Sequence, residues 1–188
     1  MRGPAAPSYG GAAPRATVAT VVAFVMNIRP NESERHEYTA SVVWTGARNG
    51  PTTSYQSYSR EHEYQCGDKP RIRLSADPHF RGDATIYNPE ELLVVALSSC
   101  HLLSYLAECA RAGVHVVAYE DRAIGVMEMR EGKLRFTEVT LRPHVTIARG
   151  ANLERAHELH EPAHADCYVA NSVNFPVRHE PTIEIAAK

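Results

Sequence analysis

Two cysteines stand where a thiol can do redox chemistry. Cys100 follows the apolar run 92–97 within one helical pattern, and Cys167 follows a second helical stretch. Reduction of a peroxide by thiols needs a thiolate that attacks the O–O bond and a second thiol that traps the sulfenic acid as a disulfide. Packing is the alternative interpretation, because a thiol inside an apolar helix is usually inert. The residues alone leave both interpretations open.

Glu90 and an arginine are the further candidates for this chemistry. An arginine is the simplest group that stabilises a thiolate, and a carboxylate can hold that arginine in a bidentate pair. Arg48, Arg60 and Arg81 all precede the helix that carries Glu90 and Cys100, and their spacing does not choose among them. We favour Arg81, since its loop leads directly into that helix.

A rival arrangement is a metal site along the second helical stretch. Its four candidate ligands are His157, His160, His164 and Cys167. On one continuous helix they span about 15 Å, too far for one tetrahedral ion. The first two histidines are also three residues apart, not four as in the zinc helix signature. We therefore expect a solvated histidine face and no metal or cofactor. His101 points about 100° away from Cys100, which predicts a packing or interface residue.

Composition limits the class of protein. The 188 residues are 44% hydrophobic and 22% charged, with a net charge of −2, as in an ordinary soluble domain that has no basic surface for nucleic acid. No uninterrupted apolar run approaches the ~18–20 residues of a membrane span. Four cysteines, of which Cys66 and Cys109 are predicted to be structural, do not resemble a disulfide scaffold. The expected compartment is the reducing cytoplasm.

The elements that must position the cysteines are two helices. Asn88-Pro89-Glu90 predicts a helix start with proline at the first position, and Gly113 predicts its end. Residues 92–97 are apolar on every face, so we expect this helix to be buried all round. The second helix is predicted over residues 152–165, with a kink or restart at Pro162.

Strands surround these helices. Alternating β-branched and aromatic residues predict strands over 37–45, 54–65, 71–75, 114–130, 134–147 and 177–185. The segment 131–133 contains Gly132 and predicts a hairpin turn. Together these patterns indicate an α+β fold with helices on one side of antiparallel sheet.

The N-terminal segment does not match a folded domain. Residues 1–16 are mainly alanine, glycine, proline and arginine and are predicted to be disordered. The apolar run 17–28 lacks the cleavage site of a signal peptide, so a translation start at Met26 is an equally good explanation. We divide the chain into a disordered or wrongly included extension, residues 1–35, and one domain, residues 36–188.

The motif of residues 88–93 (Asn-Pro-Glu-Glu-Leu-Leu) with Ser99-Cys100 and the later Cys167 resembles the OsmC/Ohr family of thiol-dependent peroxidases. The likeness covers roughly residues 36–186. Cys100-His101 and the tail after Cys167 look like an OsmC-like branch of that family. The resemblance implies the OsmC-like fold and an intertwined homodimer.

The resemblance also implies roles for residues. Cys100 resembles the peroxidatic cysteine, Cys167 the resolving cysteine and Glu90 the glutamate that positions an arginine, here Arg81. The implied substrates are organic hydroperoxides, with hydrogen peroxide as a further candidate. The implied reductant is a dithiol such as a dihydrolipoyl group on a carrier protein. The alternative is a non-enzymatic protein of the same fold that binds a small ligand under stress.

A shortened chain tests the division at the N-terminus. Because residues 1–25 hold too little apolar surface to offset the entropy of ordering, a chain that begins at Met26 should match the full chain in melting temperature and activity. A fall of several degrees in the melting temperature, measured by thermal denaturation, would show that the removed residues pack against the domain or a partner.

Overall fold

The computed structural model describes residues 35–187, and the residues from Glu37 onward form one compact unit. The predictions for residues 1–34, including the apolar run and the start at Met26, lie outside the described residues. Three helices and nine strands make up the described chain, together with short 3-10 turns.

The first helix, α1, spans Pro89–Arg111. Asn88 caps it: its side chain accepts a hydrogen bond from the Glu91 N–H at 2.8 Å, and the Glu91 carboxylate accepts one from the Asn88 N–H at 3.2 Å. This reciprocal capping box satisfies two backbone N–H groups at the helix start. After the helix, Gly113 takes a positive φ of 71°. The predicted start and end are confirmed.

The burial of α1 differs from the prediction. The helix buries one stripe, Leu97, His101, Tyr105 and Cys109, which recur every four residues. Val95 and Leu103 are 53% and 67% exposed. The expectation of a helix buried all round is therefore wrong for the single chain, because the chain supplies packing partners for one face only.

By length and composition alone, α1 also has the properties of a membrane-spanning helix. Our expectation that no segment is long enough to span a membrane was based on uninterrupted apolar runs only, and α1 is not such a run. The core helix of a soluble protein has the same properties, so this feature does not place the chain in a membrane.

The second predicted helix is two short helices. These are α2, Leu153–Glu158, and α3, His160–Ala165. Leu159 lies between them, and Pro162 falls in the first turn of α3, where its missing N–H breaks no helical hydrogen bond. The predicted restart is confirmed, a few residues before the proline itself.

The nine strands are shorter than predicted. They are β1 (Ser41–Trp44), β2 (His62–Gln65), β3 (Ile72–Leu74), β4 (Val116–Asp121), β5 (Ile124–Arg130), β6 (Lys133–Leu141), β7 (Pro143–Ile147), β8 (Val177–His179) and β9 (Thr182–Ile185). The predicted strands 114–130, 134–147 and 177–185 each break into two that join different sheets. The sheets have the orders β1-β2-β3, β4-β7-β9 and β5-β6-β8.

The predicted α+β fold is confirmed, but two of its sheets are mixed and not purely antiparallel. Most neighbours are antiparallel, but β8 pairs parallel to β6 and β9 pairs parallel to β7. The predicted hairpin joins β5 to β6, with φ of 53° at Glu131 and 75° at Gly132. Two successive positive φ values are those of a type I′ turn, whose twist suits a two-residue hairpin.

Helix α1 contributes to two hydrophobic cores. Its Leu97 packs with Val139, Leu141 and Val177 of the β5-β6-β8 sheet. Its Tyr105 and Cys109 pack with residues of the β4-β7-β9 sheet and of the helices α2 and α3. The buried stripe of α1 thus joins the two sheets, with His101 between the two cores.

Candidate active site

The structure brings Cys100 and Cys167 together. Cys100 lies on α1, and Cys167 lies just after the end of α3. The backbone N–H of Val169, two residues after Cys167, donates to Cys100 Sγ at 3.5 Å, and Cys100 is near enough to raise the pKa of Cys167. Both are free thiols. The site therefore holds two thiols near each other, as disulfide formation requires.

The surroundings of the two thiols differ. Cys167 is 1% exposed, whereas Cys100 is half-buried. Burial raises the pKa of Cys167 to about 11, and the neighbouring Cys100 side chain contributes to the same shift. Cys167 is therefore a thiol at neutral pH. The Val169 N–H is placed to stabilise negative charge on Cys100, so Cys100 is the better candidate for the nucleophile.

Glu90 lies at the start of α1, away from this pair. One of its carboxylate oxygens, Oε2, is buried and has no hydrogen-bond partner within residues 35–187. Ten residues separate Glu90 from Cys100, about 15 Å along the helix axis. Side chains of a helix also lean toward its N-terminus, which tilts Cys100 toward Glu90 but Glu90 away from Cys100. The guanidinium group of one arginine therefore cannot contact both Glu90 and Cys100 of the same chain.

A cavity of about 720 Å³ opens beside Glu90. Its wall is mostly apolar and includes Val94 of α1, Met127 of β5 and Phe136 of β6. Gly125 belongs to this wall, and a Cβ there would lie 2.7 Å from Val94, so glycine permits the close approach of β5 to α1. Neither cysteine lines the cavity in the described part of the chain.

The three candidate arginines lie in different surroundings. Arg60 donates to the carbonyl oxygens of Tyr55 and Tyr58 and lies over both rings, so its guanidinium is engaged within its own loop. Arg48 lines a small polar pocket. Arg81 is exposed, with a φ of 68°, and ends the 3-10 turn Pro78–Phe80.

Arg81 stays the preferred arginine on position alone. His79 and Phe80, the residues just before it, line the cavity beside Glu90. Among residues 35–187, however, no ion pair joins Arg81 or Arg48 to Glu90. The roles of Glu90 and Arg81 stay predictions.

The expected solvated histidine face is wrong. His157 is exposed, but His160 is fully buried and His164 is half-buried. His160 Nδ1 and Nε2 of the buried His101 of α1 share a hydrogen bond at 3.0 Å. The expectation that His101 is a packing residue is confirmed, although the sequence did not indicate which residues it contacts. In the sequence, the burial of His101 is indicated by its position four residues after Leu97, on the same side of the helix.

Comparisons with known proteins now identify the relatives of the chain. The family model described as OsmC-like protein matches residues 82–182, which is more than half of the chain. A solved OsmC-like protein of unknown function from Vibrio cholerae is 34% identical, with a TM-score of 0.73, over 79% of this chain and 100% of that chain.

Two more distant relatives agree with this assignment. An organic hydroperoxide resistance protein OsmC from Legionella pneumophila has the same fold at 15% identity, with a TM-score of 0.60 over 81% of this chain and 99% of that one. The uncharacterized protein YmaD of Bacillus subtilis is 21% identical over 61% of this chain and 80% of its own length. With the OsmC-like fold and a family match over most of the folded domain, this chain belongs to the OsmC-like family.

Proposed function

We propose that this protein is a cysteine-based peroxidase that reduces organic hydroperoxides to alcohols. The observation that carries the proposal is the proximity of a half-buried Cys100 to a buried, protonated Cys167. The family supports it, since it includes proteins named for organic hydroperoxide resistance. No cofactor is required, because sulfur supplies both electrons of each reduction.

The proposed reaction has two thiol steps. The Cys100 thiolate attacks the terminal oxygen of the hydroperoxide, the O–O bond breaks, and the alkoxide takes up a proton to leave as the alcohol. Cys100 is now a sulfenic acid. The sulfur of Cys167 attacks it, an S–S bond forms, and the hydroxyl group leaves as water with the Cys167 proton. A dithiol, for example on a lipoylated carrier protein, then returns the disulfide to two thiols by exchange.

We also propose that the protein acts as a homodimer in the cytoplasm. All four residues of β1, Ser41–Trp44, are exposed in the single chain, on both faces of the strand. Strands rich in β-branched and aromatic residues are normally half-buried, so we expect β1 to pack against a partner. A second copy of the chain is the partner that the resemblance implies. A dithiol reductant requires a reducing compartment.

In a dimer, a Glu90 can lie near Cys100 although the two residues are far apart within one chain. Because one guanidinium cannot bridge them within a chain, we propose that the partner subunit's Glu90 completes the site around Cys100. The buried Oε2 of Glu90 supports this, since a buried carboxylate oxygen without a partner is unfavourable and calls for a cation. Arg81 is the proposed cation.

Cysteine variants test the peroxidase chemistry. Cys100→Ser should abolish turnover of cumene hydroperoxide, because it removes the nucleophile. Cys167→Ser should complete one oxidation and then stop at the sulfenic acid, which mass spectrometry detects after trapping with a carbon nucleophile. Cys66→Ser is the matched control and should turn over at the normal rate.

Two outcomes would contradict this mechanism. Normal turnover of Cys167→Ser with a dithiol would remove the resolving role. No Cys100–Cys167 disulfide after one equivalent of cumene hydroperoxide or hydrogen peroxide would favour the alternative, a non-enzymatic protein that binds a small ligand in the cavity beside Glu90. Stopped-flow rates for the two peroxides would identify the preferred substrate.

An arginine series tests Arg81. A guanidinium within ~4–6 Å of a thiol favours the thiolate by about tenfold or more, so Arg81→Ala should slow alkylation of Cys100 by iodoacetamide at pH 7 by a similar factor. Arg48→Ala and Arg60→Ala serve as controls and should alkylate normally. A slow rate in either control with a normal rate in Arg81→Ala would assign the role to the other arginine.

Mixed dimers test whether the partner subunit supplies Glu90. Glu90→Gln and Cys100→Ser should each be inactive, but a dimer of one with the other contains one complete site. Since half of randomly mixed dimers are of this kind, about a quarter of wild-type activity should return after the two variants are unfolded and refolded together. No return of activity in a preparation that sedimentation shows to be dimeric would place Glu90 and Cys100 of one site in the same subunit.

A further inference from the structure

Four histidines from three elements meet in the interior. They are His101 of α1, His160 and His164 of α3, and His179 of β8. The ring centroid of His101 lies 5.3 Å from that of His160 and 5.5 Å from that of His179. The ring centroids of His164 and His179 are 5.2 Å apart. Two imidazoles on one zinc ion at ordinary Zn–N distances have centroids roughly 5 Å apart. The centroids of His101 and His164 are 6.3 Å apart, and those of His160 and His179 are 6.0 Å apart. Three ring pairs of the cluster therefore have the spacing of ligands around one ion, and the other two are about 1 Å wider.

Each of these histidines has a buried ring nitrogen that finds no hydrogen-bond partner among residues 35–187. The atoms are His101 Nδ1, His160 Nε2, His164 Nδ1 and His179 Nδ1. Buried polar atoms almost always have a hydrogen-bond partner, and an exception calls for an explanation such as an ion. Four unpaired nitrogens in one cluster are too many for side chains that serve packing alone, since apolar residues of the same size would fill the space without this cost.

A carboxylate lies beside one of the rings on its outer side. Glu161 Oε1 lies 3.7 Å from His179 Nε2, while Nδ1 of the same ring is the buried, unpartnered nitrogen. A histidine that contacts a carboxylate with one nitrogen and an ion with the other is the usual pattern around protein-bound zinc. Glu161 is exposed and belongs to α3, so it closes the cluster on its solvent side.

We propose that His101, His160, His164 and His179 form a site for one divalent transition-metal ion of the zinc type. As the rings stand, no set of three or more ligand side chains in residues 35–187 surrounds one position. His101 Nε2 and His160 Nδ1 instead share a hydrogen bond at 3.0 Å. To bind the ion, these two rings turn so that their unpartnered nitrogens, His101 Nδ1 and His160 Nε2, face it together with Nδ1 of His164 and of His179. The proton of His160 moves to Nδ1, which leaves Nε2 free as a ligand.

The site is distinct from the peroxidase chemistry. Cys100 and His101 are neighbours on α1 but point about 100° apart, so the ion lies on the core side of the helix. Its expected role is structural, because it holds α1, α3 and β8 together. The proposal therefore stands whether or not the protein reduces peroxides.

Metal binding to the full chain tests the proposal. We expect the chelator-treated protein to bind one Co²⁺ per chain, with visible bands of a tetrahedral nitrogen site and without the near-ultraviolet band of thiolate on cobalt. Zn²⁺ should displace the Co²⁺ and raise the melting temperature. Competition with a chromophoric chelator measures the affinity.

Three variants make the test specific. His164→Gln, at a half-buried position that tolerates the change, should weaken Zn²⁺ binding by at least tenfold. Glu161→Gln should weaken it by about 10- to 100-fold, as expected for a group that orients a ligand. His157→Gln is the matched control, since His157 is an exposed histidine of the neighbouring helix α2, and it should bind normally.

The opposite results would overturn the proposal. One is that the wild type binds Zn²⁺ no more tightly than His164→Gln. Another is that His157→Gln weakens Zn²⁺ binding as much as His164→Gln does. The third is a strong thiolate band on Co²⁺, which would assign the ion to Cys100 and Cys167. Circular dichroism of each metal-free variant shows that it is folded before binding is compared.

Discussion

The packing of α1 against the helices α2 and α3 is the constraint on which the site depends. Tyr105 of α1 donates its hydroxyl to the carbonyl of Ala156 in α2 at 3.0 Å, and its ring stacks on His160 at 3.8 Å. One turn earlier, His101 bonds to the same His160. Both α1 residues are fully buried. These contacts fix the start of α3 against α1, and the short length of α3 then determines where Cys167 lies.

The break between α2 and α3 explains how Cys167 reaches Cys100. A continuous helix from residue 152 onward would carry the chain straight past α1. Leu159 interrupts it, and after Ala165 the chain turns so that the Val169 N–H contacts Cys100. Asn171 closes this turn by donating its side-chain amide to the Ala165 carbonyl at 2.8 Å. Cys167 is thus held by local hydrogen bonds, which raises the effective concentration of one thiol near the other.

Some of this was predictable from local sequence and some was not. The start of α1, its glycine stop, the restart near Pro162 and the turn at Gly132 depend on neighbouring residues only. The breaks within the long strands depend on which sheet each half joins, and alternation along a strand carries no information about that. The burial of His160 depends on α1, nearly sixty residues away in the chain. A histidine pattern taken along one helix therefore grouped His157 with the cluster and left out His101 and His179.

The composition of α1 and the position of Glu90 have a common explanation. A helix that is apolar on every face has more apolar surface than one chain covers, and here the single chain buries one stripe. The same chain leaves both faces of β1 exposed and a carboxylate oxygen of Glu90 buried without a partner. Each feature is unfavourable alone, and one association of two identical chains can relieve all three. If, as proposed, the partner's Glu90 positions the arginine beside Cys100, dimer formation is a condition of activity, because the carboxylate that holds the arginine comes from the other subunit.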